Sequence, residues 1–202
     1  MRDYARLDAF LDARLDDIYP EPLAEPHGQI TKMMVADLIE FYAVKPGATV
    51  LDVGIGPGLA LELFRDAGCA VTGVGFGEEA AQARAAGFEI IEQDMSFLDV
   101  PDATYDVVWA RHVVEHSVFP FYTLSEMHRL LKPGGIFYME VPAPGTCAHH
   151  EDNANHYSVM SKEMWVILLH RTGFPNVRPQ DFVFELPMGK DTYHALDAQK
   201  PA

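Results

Sequence analysis

Apolar residues recur every three or four positions at the start of the chain: Tyr4, Leu7, Leu11, Leu15 and Ile18. That spacing predicts an amphipathic helix over residues 2–18. Prolines at 20, 22 and 26 then interrupt regular structure. A second helix is predicted over 29–43, ended by Lys45-Pro46-Gly47. From residue 49 the pattern changes. Residues 49–53 form a short, mostly apolar run, as expected of a strand covered on both faces. Further strands are predicted at 70–74, 88–91, 105–110 and 135–141, with strand-like segments at 177–186 and 191–198. Helical patterns fill the spaces near 59–67, 78–86, 120–131 and 161–172. Strand alternating with helix implies right-handed crossovers and a mostly parallel sheet, the α/β class. Residues 142–160 carry neither periodicity, and ordered domains seldom keep a connection of that length without a use.

Composition narrows the class. The 202 residues are 49% hydrophobic and 22% charged, ordinary for one globular domain. No run approaches the ~20 apolar residues of a membrane span, and the first ten residues hold no apolar signal core. The two cysteines, Cys69 and Cys147, are too few for a disulfide framework or a four-cysteine zinc site. A cytoplasmic setting is expected. Thirty acids against fifteen lysines and arginines give a net charge of −15. No basic stripe reverses that field locally, so neither nucleic acid nor an anionic membrane is an expected partner.

The sharpest motif is Val50-Leu51-Asp52-Val53-Gly54-Ile55-Gly56-Pro57-Gly58. A strand ending in close-spaced glycines and opening a helix lets backbone approach a ligand at the helix N-terminus. The dinucleotide pattern G-x-G-x-x-G would need its third glycine at 59, where the chain has Leu59. A hydride-transfer enzyme is disfavoured on that ground.

The chain resembles the class I S-adenosylmethionine-dependent methyltransferases, small members with a Leu-Asp-Val-Gly-x-Gly-x-Gly opening. The resemblance spans roughly residues 30–185. It is carried by the glycine motif, by Glu92-Gln93-Asp94-Met95, by Tyr105-Asp106-Val107-Val108 with His112-Val113-Val114-Glu115-His116, and by Leu131-Lys132-Pro133-Gly134-Gly135. It implies a Rossmann-like, doubly wound, seven-stranded sheet, mostly parallel with the last strand antiparallel, behind N-terminal helices. Residues 1–28 would form a helix and proline-rich lid, with Tyr19 and His27 over the cofactor, and 29–202 the methyltransferase domain. The implied cofactor is S-adenosyl-L-methionine, held by Asp52, Gly54, Gly56, Gly58, Gly75, Phe76, Asp94, Met95 and Arg111. Asp94 would accept from the adenine amino group, and Met95 and Phe97 would pack on the ring. One departure matters: the family carries an acid after strand two for the ribose hydroxyls, and this chain has Gly75. Glu78 or Glu79 is expected to bend back in its place. A 2′-phosphate would also tolerate Gly75, but the nearest arginine, Arg84, lies a turn or more into the next helix. The rival reading is a binding module that kept the fold and lost turnover.

Ligands of such sheets lie beyond the carboxyl ends of the strands. Residues 111–119 and 142–160 therefore face the transferred methyl, and five of the nine histidines fall there. Neutral imidazole suits removal of a hydroxyl proton. The catalytic candidates are His116, His149, His150 and His156, with Asn153, Asn155 and Tyr157 as polar contacts. The expected acceptor is a small molecule, a sugar or natural-product hydroxyl or amine. His112, Glu115 and His116 with a later histidine make a mixed metal site chemically possible. Methyltransferases of RNA 3′ ends or quinone precursors with such a site carry an acid where His112 stands, and no metal is predicted.

Overall fold

A computed structural model describes residues 4–15 and 25–202. Helix α1 runs Ala5–Leu15 and α2 runs Glu25–Phe41. The second helix starts earlier than the periodicity predicts and takes in Pro26 and His27. Pro26 falls in the first turn, where a missing N–H breaks no helical bond. The predicted lid residue Tyr19 lies outside the described residues.

The remaining elements are β1 (Thr49–Val53), α3 (Leu59–Asp66), β2 (Ala70–Val74), α4 (Gly77–Ala85), β3 (Glu89–Ile91), β4 (Tyr105–Arg111), α5 (Pro120–Leu130), β5 (Leu131–Pro142), α6 (Lys162–Arg171), β6 (Val177–Leu186) and β7 (Gly189–Gln199). They form one seven-stranded sheet in the order β3-β2-β1-β4-β5-β7-β6. Strands β1 to β5 pair in parallel, and β7 runs antiparallel between β5 and β6. This is the doubly wound sheet the sequence implies.

Successive residues of the central strands alternate between two apolar layers, which is why their runs are apolar throughout. Leu51, Val108, Phe137 and Met139 face α5 and α6, packed with Met127, Leu130, Trp165 and Leu169. Val50, Val107, Trp109 and Tyr138 face α2 and α3, against Met34, Leu38 and Phe64. Trp109 and Tyr138 stack with ring centroids 4.1 Å apart.

Strand β5 begins four residues before the predicted start at Gly135. Tyr105 pairs with Leu131 and Val107 with Ile136, so Lys132-Pro133-Gly134-Gly135 bulge out between them. Residues 142–160 are ordered by backbone and side-chain bonds together. Besides a 3-10 turn at His150–Asp152, the backbone N–H of Ser158 donates to the Glu115 carbonyl at 2.9 Å. The Ser158 hydroxyl donates to the Ser117 carbonyl at 2.7 Å. Ser161 caps α6 by accepting from the Met164 N–H.

Candidate cofactor and acceptor site

A cavity of about 350 Å³ opens beyond the carboxyl ends of β1, β2 and β4. It sits where the strand order reverses between β1 and β4. Crossovers diverge to opposite faces there and leave a crevice.

On the β1 side the turn after Val53 forms the floor, with Asp52, Gly54 and Gly56 on the wall. Gly56 has φ +47°, and a Cβ there would meet nothing within 4 Å, so its backbone faces open space. Gly54 is needed for another reason: a Cβ would lie 2.8 Å from Val113 on the segment after β4. Gly58, the third glycine, caps α3 at φ 87° and does not line the cavity. Asp52 is 2% exposed, and its Oδ2 has no hydrogen-bond partner among the described residues. Burial pushes its carboxyl up to about 8. An acid in that state, aimed into an apolar floor, calls for a cationic or N–H-bearing ligand.

Gly75 and Phe76 also reach the cavity. A side chain at 75 would place its Cβ 2.6 Å from Ile55 Cγ1. Ile55 occupies the volume an acid after β2 would need. Glu79, one turn into α4, lines the cavity and is raised by partial burial, whereas Glu78 is bonded to Gln82 on the surface. Of the two expected replacements, Glu79 faces the site. Beyond β3, Asp94 and Met95 line the wall, and Asp94 Oδ1 accepts from the Ser96 N–H at 2.7 Å. Phe97 turns outward instead and is 43% exposed, against Tyr122.

The opposite wall comes from α1 (Leu11, Arg14), α2 (His27, Thr31), and the segments after β4 and β5. Arg111 is on this wall, but its guanidinium is engaged. Nε and one Nη donate to the Glu140 carboxylate at 3.0 and 2.8 Å. The same Nη lies 3.1 Å from His27 Nδ1. Arginine only donates, so His27 accepts there and carries its proton on Nε2. His112 Nε2 lies 2.9 Å from Glu140, and the Tyr138 hydroxyl donates to it at 2.9 Å. Burial raises the Glu140 carboxyl, but His112 and Arg111 outweigh it and hold it at about 2. Glu140 was not singled out from sequence. Its only signal is an acid inside the apolar run of β5.

The four histidine candidates separate. His116 lines the cavity, together with Ser117, Asn155 and Tyr157. His149, His150 and His156 do not. His149 is exposed with a left-handed backbone at φ 52°. His150 turns toward β7, with Nε2 2.9 Å from Asp191. His156 packs behind His116, ring centroids 4.9 Å apart. Among the described residues, two three-residue groups have metal-ligand character, His27–His112–Glu140 and Glu115–His116–His156. In the first, Arg111 already supplies the cation.

The floor thus offers a glycine cradle, a buried acid without a donor, a reachable Glu79 and an Asp94–Met95 edge. These fit an amino-acid-bearing adenosine such as S-adenosylmethionine.

Comparison with known proteins agrees. The family profile described as a methyltransferase domain matches residues 29–178. A probable S-adenosylmethionine-dependent methyltransferase of Mycolicibacterium smegmatis is 31% identical over 134 residues, 63% of this chain and 52% of that protein. The malonyl-[acyl-carrier protein] O-methyltransferase of Pseudescherichia vulneris is 28% identical over 125 residues, 60% of this chain and 50% of that one. The chain thus spans about half the length of these relatives. Among solved structures, Haemonchus contortus phosphoethanolamine N-methyltransferase 2 with bound S-adenosyl-L-methionine superposes at TM-score 0.70 with 18% identity. That match covers 83% of this chain and 52% of the other. With three quarters of its length inside the family profile, the chain belongs to the methyltransferase-domain family, whose cofactor is S-adenosylmethionine.

Proposed function

We propose that this protein transfers the methyl group of S-adenosylmethionine to a hydroxyl, or an amine, of a small neutral acceptor such as a sugar or natural product. The observation that carries this reading is the place of His116 on the cavity wall, beside Ser117, Asn155 and Tyr157. Its Nδ1 donates to the Asn155 carbonyl at 2.9 Å, which orients the ring. An imidazole held on that wall is the kind of group that deprotonation of a hydroxyl needs. The neighbouring wall carries the polar groups of Thr31, Ser117, Asn155 and Tyr157; Arg111 is matched by Glu140, and Arg14 of α1 adds a second cation. The hydroxyl, amide and phenol groups suit a hydroxylated acceptor.

Within this reading the cofactor supplies an electrophilic methyl on sulfur. The chain binds and orients it through the β1 turn and Glu79, keeps water from the apolar floor, and takes the acceptor proton at His116 Nε2. The test is a panel of hydroxylated and amine acceptors incubated with label-transferable S-adenosylmethionine. For a hydroxyl acceptor, His116→Ala is expected to lower kcat by about 10²–10⁴-fold with cofactor affinity unchanged. An unchanged rate would return His116 to a structural role. Retained cofactor binding without turnover on any acceptor would favour a non-catalytic module.

A further inference from the structure

We propose that Asp52 is protonated in the cofactor-free protein and ionises as it takes the α-ammonium of S-adenosylmethionine, so that cofactor binding expels one proton. Asp52 is the last residue but one of β1 and is 2% exposed, yet it reaches the cavity. Across the sheet it stands opposite Gly73 on β2, which has no side chain. On the other side is Trp109 of β4, whose ring is stacked on Tyr138. Neither neighbour brings a charge. Its Oδ2 has no hydrogen-bond partner among the described residues. Burial alone raises the carboxyl, with no nearby charge adding to it or opposing it.

The other ionisable groups on the cavity wall come from every side. They are Arg14 on α1, His27 on α2, Glu79 on α4, Asp94 after β3, Arg111, His112 and His116 around the end of β4, and Tyr157. The cations among them are placed elsewhere. Arg111 is held by Glu140 and His27, His112 by Glu140, and Arg14 lies 5.4 Å from the Phe10 ring centroid. His116 bonds the Asn155 carbonyl through Nδ1. Helix α3 brings only Leu59 and Ala60 to the cavity, and β2 only Val74.

A carboxylate on this floor would lack both a donor and a counter-charge, which makes the neutral acid the cheaper form. The amino-acid end of the cofactor supplies both. A sulfonium carries charge but no N–H, so the ammonium is what Oδ2 lacks. The exchange balances: Asp52 gives its O–H proton to solvent, and carboxylate and ammonium remain as a pair. Methyl transfer leaves the ammonium untouched. Asp52 therefore stays ionised through the chemical step and recovers a proton from solvent when S-adenosylhomocysteine leaves. The bound form carries one proton fewer, so affinity rises with pH up to about 8. Acidification loosens cofactor and product alike, whatever the acceptor.

The test is calorimetry on the full chain at pH 6 to 7, in buffers of different ionisation enthalpy. S-adenosylhomocysteine is the first probe, because it keeps the ammonium and cannot react. Wild type is expected to release about one proton more than Asp52→Asn, and its Kd to fall about tenfold from pH 6 to 7. The Kd of Asp52→Asn is expected to stay nearly level. 5′-Methylthioadenosine, which lacks the amino-acid end, is the second probe and needs no variant. Wild type is expected to release about one proton fewer with it than with S-adenosylhomocysteine. Equal proton counts for wild type and Asp52→Asn, or for the two probes, overturn the proposal. Release with S-adenosylmethionine but not with S-adenosylhomocysteine places the sulfonium at Asp52 and overturns the ammonium pairing.

Discussion

Asp52 lies buried in the cavity floor, its Oδ2 without a partner among the described residues, and that burial makes a prediction that sequence could not. Its carboxyl is raised from 3.8 to about 8 in the fold, so the folded chain binds this proton more tightly than the unfolded one. The contribution to stability is complete below about pH 4 and is lost as pH rises through about 8. Thermal midpoints of the wild type should therefore decline across that range more steeply than those of Asp52→Asn, measured side by side in low salt. Parallel curves would mean that the acid is ionised in the fold. Glu79 makes the second residue-scale case. If it takes the ribose hydroxyls, Glu79→Gln should weaken cofactor binding by about 10- to 100-fold, whereas Glu78→Gln should not. Calorimetry on the two variants decides it, and equal affinities would remove Glu79 from the ribose. The glycine turn lies where its spacing puts it, and Asp94, named from the resemblance, and His116, named from its place after β4, both line the cavity. The reason for Gly75 was not legible, because it lies in Ile55, twenty residues earlier and one strand away.

Between elements, the Glu140 carboxylate does the joining. It takes bonds from Arg111 and His112 at the end of β4 and from Tyr138 within β5, while Arg111 also reaches His27 in the first turn of α2. Removing one partner of a buried ion pair leaves the other charge without compensation. Glu140→Ala should lose about 3–5 kcal/mol of unfolding free energy, read from denaturant midpoints. A loss under about 1 kcal/mol would show that water replaces the carboxylate. The low Glu140 value adds a sign: its stabilisation is present above about pH 4.5 and fades as pH falls toward about 2. Most elements could be read from periodicity. The misplacements, the start of α2 and of β5, occur where a proline fits a first helical turn and where a four-residue bulge interrupts pairing. Neither depends on hydrophobic pattern, which is why pattern missed both. The 142–160 connection was legible as an irregular segment beside the site, but not in which way its rings face. Those directions are set by Asp191 on β7 and by carbonyls within the loop.

Across the whole molecule, the cavity follows from the path of the chain. Cofactor at about 100 times its Kd should add about 2.7 kcal/mol of stability, visible as a rise in Tm. Gly56→Val should abolish that rise, because a β-branched side chain would enter the open approach at φ +47°. The fold should survive with about 1–2 kcal/mol of backbone strain. A full thermal shift in the variant would place the cofactor elsewhere. The crevice between β1 and β4 has a longer reach. It exists because neighbouring crossovers leave in opposite directions, not because core side chains were carved away. The residues that would meet an acceptor come from α1, the first turns of α2 and the loops after β4 and β5, while the two apolar layers lie below them. On the proposed reading, recognition and foldability are largely under separate control in this chain. Exchanging the segment from Pro144 to Tyr157 for another sequence that keeps Ser158 on Glu115 is then expected to change which acceptor is methylated with little change to what folds. That separation makes the scaffold open to re-specification, by natural drift or by design.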